Sequence, residues 1–128
     1  MKQAVGCRDN LVLLDRVVLS DARTTQLKRL FKMMANDTRL RILHALIRSG
    51  ELCVNDLAKA LGMKPQAISN QLQRMVDQGI LGPRREGNNI YYTIIDPCVP
   101  DIMDRAFCLI EMSNKTPRSR AIAARAKR

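Results

Sequence analysis

Four cysteines, Cys7, Cys53, Cys98 and Cys108, and a single histidine, His44, are the side chains here best suited to soft-metal or redox chemistry. Thiolate sulfur selects thiophilic ions and is also the redox-active group of proteins. The Cys residues are not spaced as a Cys-x-x-Cys redox pair. No Cys/His/Asp constellation and no Gly-rich phosphate loop is present, so no enzyme is expected. The apolar run from Leu11 to Leu19 is short and broken by Asp15 and Arg16, so it does not read as a signal peptide. No stretch approaches the ~20 apolar residues of a membrane span. A cytoplasmic location is expected, in which the four cysteines are thiols or metal ligands rather than structural disulfides.

Cys53 stands out among the four. Val54, Leu57, Ala58 and Leu61 follow the i, i+3, i+4, i+7 spacing of one apolar helix face. The residue before such a helix is ordinarily Ser, Thr, Asp or Asn, whose oxygen caps the first backbone N–H groups. Asp56 occupies the acidic position of a capping box. A thiol fills the cap position instead, at the positive end of the helix, where negative charge is favoured. The competing reading is a small semi-buried packing residue. Cys98 and Cys108 lie ten residues apart, about 15 Å along one helix, so they cannot hold one ion within it. His44 is expected to be partly buried and satisfied.

The elements that position these residues follow from composition and periodicity. The 128 residues suffice for one domain with a modest core. A formal charge of +10 and a pI near 10.1 point to a polyanion, with nucleic acid favoured over an anionic membrane. Aromatic residues are only 3% and Trp is absent, which argues against base stacking on aromatic platforms. Residues 1–20 read as an N-terminal arm, with a short helix over 10–19. A first helix is predicted from Thr24 to Ala35, with Leu27, Leu30, Phe31 and Met34 as its apolar stripe. A second starts at Asn36 or Asp37, packs through Leu40, Leu43, Leu46 and Ile47, and stops at Ser49-Gly50. A third follows Cys53 and ends at Leu61-Gly62. A fourth opens at Lys64-Pro65 and ends near Gln78-Gly79. Two short strands joined by a polar tip come next, the second rich in β-branched and aromatic residues over Ile90–Ile95. A last helix runs from about Pro97–Pro100 to Met112. The tail, residues 113–128, holds six basic residues and no acidic one, and is expected to be disordered and to add non-specific DNA affinity. The domain proper is therefore residues 21–112.

The third and fourth helices, joined at Gly62-Met63-Lys64, make a helix-turn-helix pattern. On the fourth, Ile68, Leu72, Met75 and Val76 group on one side. Gln66, Ser69, Asn70, Gln73 and Asp77 group on the other, with Arg74 at the edge. A row of amides and hydroxyls can hydrogen-bond base edges in the major groove. A merely solvated face would be richer in Lys and Glu. Lys64, Gln66, Ser69, Asn70, Gln73 and Arg74 are therefore the candidate DNA contacts of the helix pair. The tip from Arg84 to Asn89 reads as a wing, with Arg84, Arg85 and Asn88 at phosphates or in the minor groove.

With these elements in order, the chain resembles the ArsR/SmtB family of winged-helix repressors over residues 24–112. The resemblance rests on Ala35-Asn36-Asp37-Thr38-Arg39-Leu40-Arg41-Ile42-Leu43, on Glu51-Leu52-Cys53-Val54 with Asp56-Leu57, and on Gln66-Ala67-Ile68-Ser69-Asn70-Gln71-Leu72. Arg85-Glu86-Gly87 and Tyr91-Tyr92 complete it. It implies a mostly α fold with a small β-hairpin wing, a winged helix-turn-helix. It also implies a homodimer joined by its first and last helices, a palindromic double-stranded DNA operator, and release of DNA when an inducer binds.

The resemblance also narrows the inducer. One family site, on the last helix, takes zinc, cobalt or nickel through Asp, His and Glu, and His44 lies outside that helix. In the cadmium- and lead-sensing branch, a Cys of the Glu-Leu-Cys-Val stretch joins cysteines of the arm. Cys53 and Cys7 match, while the second Cys of that motif is Asn55 here. Two or three sulfurs suit Hg, Cd, Pb or As ions. Cys98 and Cys108 are further candidate ligands across a dimer interface or together with Cys7 and Cys53. A second route, a redox or persulfide switch, pairs a Cys of the last helix with one on helix two. Cys108 matches the first position and His44 occupies the other. A constitutive DNA-binding protein whose cysteines only pack is the remaining alternative.

Overall fold

The computed structural model describes residues 18–115. The arm up to residue 17, with Cys7, and the tail from residue 116 lie outside the described residues. The elements are α1 (Asp21–Met34), α2 (Asp37–Ser49), β1 (Leu52–Cys53), α3 (Val54–Leu61), α4 (Pro65–Asp77), β2 (Leu81–Glu86), β3 (Asn89–Ile94) and α5 (Cys98–Lys115). The chain divides into two compact units, one ending at Pro97 and one opening at Cys98.

Local sequence explains each boundary. α1 begins three residues before the expected Thr24, because Ser20 caps it: its Oγ accepts from the Arg23 backbone N–H at 3.2 Å. Asn36 caps α2 in the same way, accepting from the Arg39 N–H at 3.0 Å. Gly62 ends α3 with φ +66° and ψ 36°, a left-handed conformation that side chains with a Cβ resist. Pro65 occupies the first turn of α4, where its missing N–H costs no helical bond.

The core of the first unit is built from α2, α3, α4 and the base of the sheet. Ile42, Leu43, Leu57, Ile68, Leu72 and Met75 are wholly buried, and Leu46, Ile80, Leu81 and Tyr92 nearly so. The expected α4 stripe is found, with Val76 only half-buried. The α2 stripe is rotated from the expected one. Ile42 joins Leu43 and Leu46 inside, while Leu40 and Ile47, seven residues apart on the flank, are exposed. The α1 stripe is split: Met33 and Met34 are buried, but Leu27 and Phe31 remain 44% and 53% exposed. His44, expected to be partly buried, is exposed on α2.

The expected hairpin is one strand richer. β2 and β3 pair antiparallel from Leu81↔Ile94 to Glu86↔Asn89, and β1 adds to the other edge of β3 through Leu52↔Tyr92 and Cys53↔Tyr91. The order β1-β3-β2 anchors the wing to the chain just ahead of α3. The two-residue tip Gly87-Asn88 turns on Gly87 at φ +64°. In the second unit, α5 buries Val99 and Met103, while Phe107, Leu109, Ile110 and Met112 are exposed.

Candidate functional site

α3 and α4 form the helix-turn-helix, and α4 carries its polar face outward. Lys64, the N-cap residue of α4, is exposed, as are Gln66, Asn70, Gln73 and Arg74. Ser69 is half-buried. Two i, i+4 bonds order this face: Gln66 Nε2 donates to Asn70 Oδ1 at 3.1 Å, and Gln73 Nε2 donates to Asp77 Oδ1 at 2.9 Å. Each is an exposed bond that can exchange for a base edge at little cost.

Arg84, Arg85 and Asn88 are all exposed on the wing, but their circumstances differ. The Arg84 guanidinium forks onto Glu51, Nε to Oε2 at 2.9 Å and Nη2 to Oε1 at 2.6 Å. Its Nη1 donates to Glu86 at 3.0 Å. The same group sits 5.2 Å from the Tyr91 ring centroid, within cation–π range. Hydrogen bonding from Arg84 holds the Glu51 carboxyl below the usual carboxylate range. Glu51 first, and Glu86 second, raise the Arg84 value above its ordinary level. Two carboxylates thus already occupy the Arg84 cation, whereas no ion pair involves Arg85 among the described residues. The sequence concealed this fork, because Glu51 and Arg84 meet only through the pairing of β1 with β3.

Cys53 closes β1 and serves as the N-cap residue of α3, in an extended conformation at φ −94° and ψ 173°. The Asp56 carboxylate takes the capping-box position, accepting from the Cys53 backbone N–H at 3.4 Å and from its Sγ–H at 3.2 Å. The thiol is half-buried and borders a cleft of about 260 Å³ that also touches Asn55, Ser69, Asn88 and Tyr92. The cleft thus joins the thiol to one polar residue of α4 and to the tip of the wing. Asn55 supplies an amide where a second sulfur would stand in a Cys-x-Cys site.

Cys53, Cys98 and Cys108 are thiols rather than disulfide halves. Cys98 opens α5 and is half-buried, while Cys108 is exposed two turns and more further on. Among the described residues, no three His, Cys, Asp or Glu side chains converge as a metal site. No helix among them is long and apolar enough to cross a membrane.

Comparison with known proteins agrees with this geometry. The family described as "Bacterial regulatory protein, arsR family" matches residues 36–81, the span from the α2 cap to the start of the wing. A transcriptional repressor SmtB homolog from Synechocystis is 38% identical over 96 residues, covering 70% of this chain and 72% of that protein. The crystal structure of the AntR antimony-specific transcriptional repressor superposes with a TM-score of 0.73 at 54% identity, covering 84% of this chain and 96% of that one. The solution structure of a homodimeric winged helix-turn-helix DNA-binding domain from Mycobacterium bovis, a possible ArsR-family regulator, matches with a TM-score of 0.63 at 31% identity, over 75% of this chain and 91% of that one. An outward polar face on α4, a wing beside it, and relatives of this closeness make the chain a member of the bacterial arsR family, a DNA-binding transcriptional repressor of the ArsR/SmtB metal-sensing group.

Proposed function

We propose that the protein is a homodimeric repressor that leaves its operator when Cys53 and further cysteines bind a thiophilic metal or metalloid ion. One observation carries this reading: the Cys53 thiol borders the cleft between α4 and the wing. A ligand on that sulfur therefore lies against both DNA-reading elements. The 54% identity to an antimony-specific repressor favours a trivalent metalloid, Sb(III) or As(III), within the class that also includes Hg, Cd and Pb.

The donor set needs more than the described residues of one chain, since no three donors converge there. Cys7 of the arm is the first further candidate, from the same protomer or from its partner. Cys108 is the second, because it is exposed on α5 among Phe107, Leu109 and Ile110. Dimerisation through α1 and α5 accounts for these exposed apolar side chains, which a monomer would leave in water. Lys64, Gln66, Ser69, Asn70, Gln73, Arg74, Arg85 and Asn88 contact DNA, and Arg84 chiefly orients the wing. The ion must bind the released geometry more tightly than the DNA-bound one, since only that difference shifts the equilibrium.

Anaerobic titration of the reduced protein with Sb(III), As(III), Cd(II), Pb(II) and Hg(II), followed by thiolate–metal charge-transfer absorbance, tests the site. Binding that is lost in Cys53→Ser, and weakened in Cys7→Ser or Cys108→Ser, supports it and identifies the second donor. Undiminished binding by Cys53→Ser overturns the assignment.

A further inference from the structure

α1 is held to the first unit by little more than its C-terminal end. From Asp21 to Lys32 every side chain except Leu30 is exposed, and only Met33 and Met34 are buried. That end also carries carbonyls with no helical partner. Two are taken by following backbone: Ala35 N–H donates to Phe31 O and Asn36 N–H to Met34 O, both at 2.9 Å. A third, Met33 O, accepts from Arg39 Nη1 at 3.0 Å. The same guanidinium donates from Nε to Gln71 Oε1 at 2.7 Å, and Gln71 lies in the middle of α4. Arg39 is itself fixed, half-buried, by the Asn36 cap on its backbone N–H. One planar cation on α2 therefore ties the end of α1 to the reading helix. A guanidinium presents its donors in a rigid fork, so it fixes direction as well as distance.

We propose that Arg39 is a positioning residue that sets α4 against α1 and thereby fixes the half-site spacing the dimer accepts. The inference rests on the dimeric reading above, in which α1 is an interface helix. In a two-fold dimer the separation of the two α4 helices follows from how each is held to its own α1. A shift of either joint is doubled across the two-fold axis. Gln71, an amide on a DNA-reading helix, is spent inward on this joint rather than on a base.

The test uses the full chain and fluorescein-labelled palindromic duplexes selected from a random library by the wild type. Their half-site spacing is changed by one and two base pairs in either direction. Arg39→Met removes both bonds at similar length, Gln71→Met removes only the α4 arm, and Arg39→Lys keeps the charge without the fork. Hydrogen bonds to a charged group are strong enough for the preference of native over altered spacing to fall about tenfold in Arg39→Met and Gln71→Met. Arg39→Lys should restore only part of it. Should Arg39→Met fail to fold, Gln71→Met alone decides the matter. A dimeric Gln71→Met variant with the wild-type spacing profile, even at lower overall affinity, overturns the inference and leaves the dimeric reading standing. A wild-type chain that sediments as a monomer on DNA overturns the dimeric reading, and the inference with it.

Discussion

At the scale of single residues, the two most informative side chains are Cys53 and Arg84, the first poorly suited to its structural position and the second well partnered in it. Cys53 occupies the N-cap position of α3 without a side-chain cap hydrogen bond, sulfur being a weak acceptor, although the backbone there is already extended as a cap requires. Cys53→Ser should therefore raise stability by about 0.5–1 kcal/mol in urea denaturation while abolishing ion binding. A purely structural thiol would show no such opposition. Arg84 is the other case. Glu51 is exposed enough that its ion pair adds little to stability, so its contribution is to wing geometry. The Glu51 carboxyl is depressed by Arg84, so the pair is fully formed above the unfolded-state value and is lost as pH falls through the lower folded-state value. The Arg84 Nε–H resonance should accordingly shift only below the ordinary glutamate range. Glu51→Gln should remove that titration.

At the scale of elements, the helix pair was legible and the sheet was only partly so. Strong apolar periodicity, Gly62 and Pro65 marked α3, the turn and α4 in the sequence, because each is a local preference. Gly62 at φ +66° has no neighbour within 4 Å of where a Cβ would stand. Gly62→Ala should thus cost about 1–2 kcal/mol from backbone conformation alone, measurable by thermal denaturation. β1 left no such mark. Two residues carry no period, and its pairing with Tyr91 and Tyr92 spans a long stretch of chain. The Glu51–Arg84 fork was hidden for the same reason. The stripes on α1 and α2 were misread where apolar residues face outward. Periodicity finds an apolar face but does not say whether the chain's own core or a second molecule covers it, as Leu27 and Phe31 illustrate. His44, expected to be partly buried, falls on the outer side of α2.

At the scale of the whole molecule, two surface features bear on the proposed function: excess positive charge and exposed apolar side chains on α1 and α5. The formal +10 charge supplies sequence-independent attraction to phosphate. Phe31 on α1, and Phe107 and Ile110 on α5, are exposed apolar side chains, which the proposed dimer would cover. Phe31→Glu should shift the sedimentation coefficient from dimer to monomer. It should also weaken operator binding by more than tenfold, since one half-site forfeits the binding energy of the other. Circular dichroism of that variant should stay native, because Phe31 is already half exposed.

An ion on Cys53 is proposed to end DNA binding. The most direct measurement is fluorescence anisotropy of the protein bound to its labelled operator during anaerobic addition of Sb(III), for the wild type and for Cys53→Ser. Both proteins should bind the operator equally without the ion, the wild type should release it as the ion is added, and Cys53→Ser should stay bound. Release of Cys53→Ser at the wild-type ion concentration would contradict the proposal.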